Sequence, residues 1–198
     1  MTAGRGIVHS ERTGAELRTT SSPIHGLQMW VALPAAKEEM APGFSHHEVQ
    51  EFPMVRDDGV FARVVIGSLY GKTSPVPTVH ETMFANVALR AGSTLPIDAG
   101  HEERALYLVD GTLDIAGDTF APGQLLVFKP GDKVTVKAVT DAHLVICGGA
   151  PMDGPRHIWW NFVSSRKDRI EQAKADWTAG HFGKVPGDEI EFIPLPEK

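Results

Sequence analysis

The chain has 198 residues, 42% of them apolar and 22% charged, with a formal net charge of −6. It can bury one large core or two small ones, and without a stripe of Lys and Arg it gives no reason to expect direct nucleic-acid binding or capture by an anionic membrane. No apolar run approaches the roughly 18 residues of a membrane span, no signal-peptide pattern opens the chain, and the lone Cys147 excludes an intramolecular disulfide, so the cytoplasm is the expected compartment.

The chain opens on "TAGRGIVHSE", in which His9 and Glu11 stand two residues apart. In an extended strand such residues project from one face, so the pair could face a single ion. With 20 glycines and 14 prolines as punctuation, the remaining sequence falls into short apolar or alternating runs, an all-β rhythm. Strands are expected over 27–33 ("LQMWVAL"), 60–70, 82–90, 104–111, 112–117, 124–129, 133–139 and 142–149. Such strands close into a sandwich or barrel. Between Pro34 and Pro53 a polar stretch broken by Pro42 and Gly43 reads as a long ordered connection. Cys147, inside "HLVICGG", reads as a buried, inert thiol.

One stretch reads as helix, "SSRKDRIEQAKADW", with Ser165 and Asp168 in the form of a capping box. Ile170, Ala173 and Trp177 share a face at helical spacing, so this helix is expected to flank the β core. Trp159 and Trp160 could line a ligand cavity, but in a β protein of this size paired large rings favour packing. His25, His46, His47 and His80 could join His9 in a metal site. The adjacent His46–His47 pair suits local hydrogen bonds better than a shared ion, and His143, His157 and His181 read as structural. No G-x-G-x-x-G fingerprint and no G-x-S-x-G elbow occur, so neither a nucleotide site nor a serine nucleophile is supported.

From "ALRAG" to "ICGG" the chain resembles a cupin, the double-stranded β-helix or jelly-roll barrel, with "YLVDG" ending one motif and "APGQLLVFKPGD" carrying the turns of the other. The resemblance implies ligand positions at Asp98, Gly100 and Arg104, counting back from Gly111, and at Val134 or Thr135 in the second motif. Those residue types do not make a metal site, and "GHEER" (100–104) is expected to be a solvated strand entrance with ion pairs.

"TAGRGIVHSE", "HGLQMWVALP" and the tail from "WWNF" to "PLP" together resemble the pirin family, two-cupin proteins, over nearly the whole chain. The resemblance implies a partial N-terminal cupin with its connection over 1–60, a C-terminal cupin over 61–150, and a helix with a tail over 151–198 returning to the N-terminal part. It further implies an iron site held by a His-x-His pair and a His-x-Glu pair, with His9 and Glu11 as the second pair. Because no His-x-His precedes them here, a chain truncated at its N-terminus and an incomplete iron site are expected. The strands so left unpaired would pack on the C-terminal cupin or pair across a homodimer. The implied activity is an iron-dependent dioxygenase of the quercetin 2,3-dioxygenase type, acting on a small aromatic, flavonol-like substrate and impaired in this chain. A non-catalytic binding or transcription-co-regulatory protein is the alternative, and a degenerate remnant with neither activity is a third reading.

Overall fold

In the computed structural model, which describes residues 1–197, the chain divides into two compact units: residues 45–151, and residues 1–44 together with 152–197. Lys198, the last residue of the expected third segment, lies outside the described residues. No described helix is long and apolar enough to cross a membrane.

The first of these units is all β. Its strands are β1 (Met54–Asp57), β2 (Val60–Ile66), β3 (Ser68–Leu69), β4 (Lys72–Thr73), β5 (Thr82–Leu89), β6 (Thr94–Ile97), β7 (Glu103–Asp110), β8 (Leu113–Ile115), β9 (Asp118–Phe120), β10 (Leu125–Phe128), β11 (Val134–Ala138) and β12 (Ala142–Gly149). All pairings are antiparallel, in a six-stranded sheet of order β1-β2-β5-β12-β7-β10, a four-stranded sheet β6-β11-β8-β9, and the small hairpin β3-β4. This is the cupin barrel the sequence pattern anticipates. β1, drawn from residues counted above with the connection, forms one edge of the large sheet.

Alternation drives the closure. In β5, Met83, Ala85, Val87 and Leu89 point inward, and in β7 Leu106 and Leu108 do the same. Leu95 and Ile97 from β6, Leu113 from β8 and Val136 and Ala138 from β11 complete the core from the opposite sheet. Each such branched side chain, taken out of water, contributes about 1.5–3 kcal/mol. The barrel interior is therefore filled with packed apolar side chains. Gly111 makes the tight exit from β7: its φ is +90°, and a Cβ there would lie 2.3 Å from the Asp141 carbonyl oxygen. Only glycine meets both conditions without strain.

The second unit holds the hairpin β13 (His157–Trp159) and β14 (Phe162–Ser164), the helix α1 (Lys167–Thr178) and two lone bridges, Thr2–Gly43 and Val185–Asp188. Here two sequence expectations are corrected. Residues 27–33 have strand composition but no ladder partner among the described residues, and Leu27, Met29, Trp30 and Val31 are exposed. A strand is a pairing property, so β-favouring side chains alone do not make one. The capping box does not form either. Ser165 instead donates from both its N–H and its Oγ to Glu38, and Asp168 pairs with Arg166, which occupies the N-cap position. Within this unit, Ile170 and Ala173 are the buried face of α1, and the helix packs on β13 and β14.

Candidate metal centre

The segment carrying His9 and Glu11 belongs to no sheet. It is strung between fixed points on its own unit. Thr2 exchanges both backbone hydrogen bonds with Gly43, at 2.8 and 2.9 Å, and Arg5 N–H donates to the Met40 carbonyl at 3.0 Å. Arg169 on α1 donates from Nη2 to the Arg5 carbonyl at 2.8 Å while its Nε holds Glu39. Farther along, Arg12 grips the tail, with Nε to Asp188 Oδ2 at 2.7 Å, Nη2 to Asp188 Oδ1 at 3.0 Å, and Nη1 to Glu191. This paired guanidinium, with help from the Ser10 hydroxyl, holds the Asp188 carboxyl below the usual carboxylate range.

His9 and Glu11 themselves are exposed. Neither side chain makes a hydrogen bond or ion pair with another described residue, so an imidazole and a carboxylate, suitable donors for iron, stand open to a ligand. The donor types fit a metal. The number does not complete a centre, because among the described residues no three His, Cys, Asp or Glu converge on one point.

The other histidines are placed as follows. His46 contacts Glu48 and His47 contacts Glu51, each at 3.2 Å, and His80 contacts the Ala150 carbonyl at 3.2 Å. His25 is exposed. His143 meets Asn86 across β12 and β5 at 2.7 Å, His157 begins β13, and His181 faces Asp176 at 3.2 Å.

In the barrel unit, Asp98 caps the N–H of Gly100, Val134 packs against the core, and Thr135 is exposed on β11. Arg104, expected in a solvated strand entrance, is 1% exposed. Its guanidinium donates to the carbonyls of Asp132 and Lys129, both at 2.9 Å, so a fixed cation ties the β10–β11 turn to β7. Close by, His101 lies between Glu81 Oε1 at 2.7 Å and the Ser68 carbonyl at 2.9 Å. The carbonyl can only accept, so Nε2 carries a proton, and a full bond to the Glu81 carboxylate requires a second on Nδ1. Burial opposes that charge, but the Ser68 carbonyl, Glu81 and Asp98 outweigh it and raise the imidazole pKa. Cys147 is half-buried and burial pushes its thiol up, which keeps it inert.

Trp159 and Trp160 join Phe162, Trp177, Phe182 and Phe192 in one aromatic cluster, and Lys174 Nζ stands 4.3 Å from the Trp159 ring centre. Trp177 Nε1 donates to the Ile193 carbonyl at 2.9 Å, seating the tail on the helix. Sequence reasoning missed Asp188, Glu191 and Glu38, whose partners lie more than a hundred residues away and leave no local signal.

Residues 84–183 match the pirin C-terminal cupin domain. Over 198 residues the chain is 44% identical to a "Pirin-like protein" of Caulobacter vibrioides, covering all of this chain and 68% of that protein. It is 31% identical over 205 residues to a Pseudomonas aeruginosa protein named "Putative quercetin 2,3-dioxygenase", covering all of this chain and 63% of that one. A crystal structure of a quercetin 2,3-dioxygenase from Acinetobacter baumannii superposes with a TM-score of 0.71 at 25% identity, covering 85% of this chain and 58% of that one. The chain thus spans about two thirds of the length of these curated relatives.

Proposed function

Because the chain belongs to the pirin family, we propose that it serves metal-dependent dioxygenation of a small aromatic, flavonol-like substrate, with His9 and Glu11 as two ligands of an iron. The similarity to the Pseudomonas protein, which runs the whole length of this chain, carries the reading. The exposed imidazole and carboxyl of His9 and Glu11 support the choice of ligands. Bound iron supplies Lewis-acid polarisation of a substrate hydroxyl and open positions for substrate and oxygen.

The chain's own residues do the remainder. His9 offers an imidazole nitrogen and Glu11 carboxyl oxygens, while Arg12 pairs with Asp188 and Glu191. Two protein donors hold iron weakly, so activity of these 198 residues alone is expected to be impaired. A non-catalytic binding role is the second reading. It draws on the barrel unit, whose interior is closed by apolar side chains and by Arg104.

The test is Fe(II) reconstitution under anaerobic conditions, followed by bound iron and oxygen uptake with quercetin. It compares this chain, its His9→Ala variant, and a fusion supplying the part of the Caulobacter relative that the match leaves out. The chain alone is expected near background, while the fusion binds iron and consumes oxygen and loses both on His9→Ala. A fusion whose iron and oxygen uptake are indifferent to His9→Ala overturns the reading.

A further inference from the structure

The outer face of the six-stranded sheet gathers cations that no carboxylate balances. In β2, Val60, Ala62 and Val64 turn into the core, so Phe61 and Arg63 stand on the outer face. Arg56 of β1 lies directly opposite Phe61 on one side and Ala88 of β5 on the other, and Arg90 follows Ala88 by two positions. The guanidinium carbons of Arg56 and Arg90 are each 6.0 Å from the centre of the Phe61 ring. Strand register thus brings three arginines, scattered in the sequence, around one aromatic side chain.

Among the described residues none of the three forms an ion pair or donates a hydrogen bond from its side chain. Acid is not in short supply, since the chain has 25 Asp and Glu against 19 Lys and Arg, and Arg12, Arg156, Arg166 and Arg169 all take carboxylates. Asp57, next to Arg56 in the chain, instead accepts the Asp58 N–H on its Oδ1 at 2.8 Å. Arg63 supplies a second observation. Its Nε is shut off from solvent and has no acceptor, while Asn86, its cross-strand neighbour, has Oδ1 2.7 Å from His143 Nε2. A buried donor left without a partner costs free energy that an incoming acceptor would restore.

The donor chemistry selects the ligand. Guanidinium charge is permanent, and packing against a ring face engages the cation without consuming its N–H donors. Those forked donors match the oxygens of an oxyanion. One carboxylate would balance only one of the three charges, whereas a phosphate group brings a charge of about −2 and three acceptor oxygens. Ala88, exposed beside Phe61, leaves the approach open.

We infer that the outer face of β1, β2 and β5 is an oxyanion site in which Arg56, Arg63 and Arg90 hold a phosphate group, free or as a small ester, beside the Phe61 ring. The site is independent of the metal reading, because none of its residues belongs to the N-terminal segment.

The experiment is a chemical-shift titration of the ¹⁵N-labelled chain, read on backbone amides and on arginine Nε–H groups. Inorganic phosphate, phenyl phosphate and acetate are added separately at pH 7.5 and constant ionic strength. Both phosphates are expected to give saturable shifts centred on residues 56–63 and 86–90, the Arg63 Nε–H included, with acetate bound at least about tenfold more weakly. Arg56→Gln and Arg90→Gln, at exposed positions, each weaken phosphate binding about tenfold, as the loss of one charge-assisted hydrogen bond does. Lys133→Gln removes the same charge from the exposed turn before β11 and leaves binding unchanged. Equal affinity for the two phosphates assigns the free ion, and tighter phenyl phosphate assigns an ester; either result supports the site. No saturable shift with either phosphate, shifts indifferent to both Arg56→Gln and Arg90→Gln, or an equal loss in Lys133→Gln overturns it. Acetate bound as tightly as phosphate overturns the phosphate assignment.

Discussion

In the barrel, a position that the cupin pattern gives to a ligand is filled by a buried charge, Arg104. Arg104 can be reached by counting back from Gly111, but its burial could not be read from "GHEER", since a guanidinium surrounded by charged neighbours looks solvated until the carbonyls of Lys129 and Asp132 are seen to converge on it. His101 shows the same limit, because both its acceptors come from elements distant in sequence. Its folded pKa is raised, so its stabilising bonds are fully present below the unfolded imidazole value, near 6.5, and are lost as pH rises through the raised folded value. Urea denaturation of the wild type and His101→Gln at pH 5.5 and pH 9 is expected to show a larger stability difference at pH 5.5. A difference that grows toward pH 9 would contradict the doubly protonated ring.

At the level of elements, strand runs bounded by glycine and proline were legible because alternation in β5 and β7 survives into the burial pattern, while β12 reads as a continuous apolar run and buries Leu144, Val145 and Ile146 in succession. The run at 27–33 failed on the same criterion, since the composition of a strand says nothing about its partner. Helix α1 was legible from Ile170 and Ala173, but its start was set by a residue far upstream. Glu38 receives Ser164 Oγ at 3.0 Å and both the N–H and Oγ of Ser165, and pairs with Arg156 Nε at 2.8 Å, with Glu38 12% and Arg156 6% exposed at their side chains. Breaking one partner of such a buried pair leaves the other charge without compensation and costs about 3–5 kcal/mol. Glu38→Ala is therefore expected to lower the unfolding midpoint strongly when followed by tryptophan fluorescence, since Trp30, Trp159, Trp160 and Trp177 all belong to that unit. A shift equivalent to less than about 1 kcal/mol, the range of an exposed ion pair, would show that the pair is solvated.

For the molecule as a whole, the chain joins a closed barrel with an apolar core to a second unit in which the N-terminal segment is held by the C-terminal tail. The barrel half of this picture was legible from periodicity and turns. The other half was not, because Arg12 and Asp188 are 176 positions apart and nothing local to "TAGRGIVHSE" announces the tail. Within that picture, we propose that the metal binds at His9 and Glu11 rather than at Glu81, Asp98 and His101 of the barrel. Titrating substoichiometric Mn(II) into the ¹⁵N-labelled chain tests this most directly, because paramagnetic broadening reports where the ion sits. Broadening centred on residues 8–12, and removed by His9→Ala, is the predicted result. Broadening centred instead on Glu81, Asp98 and His101, or unchanged by His9→Ala, would contradict it.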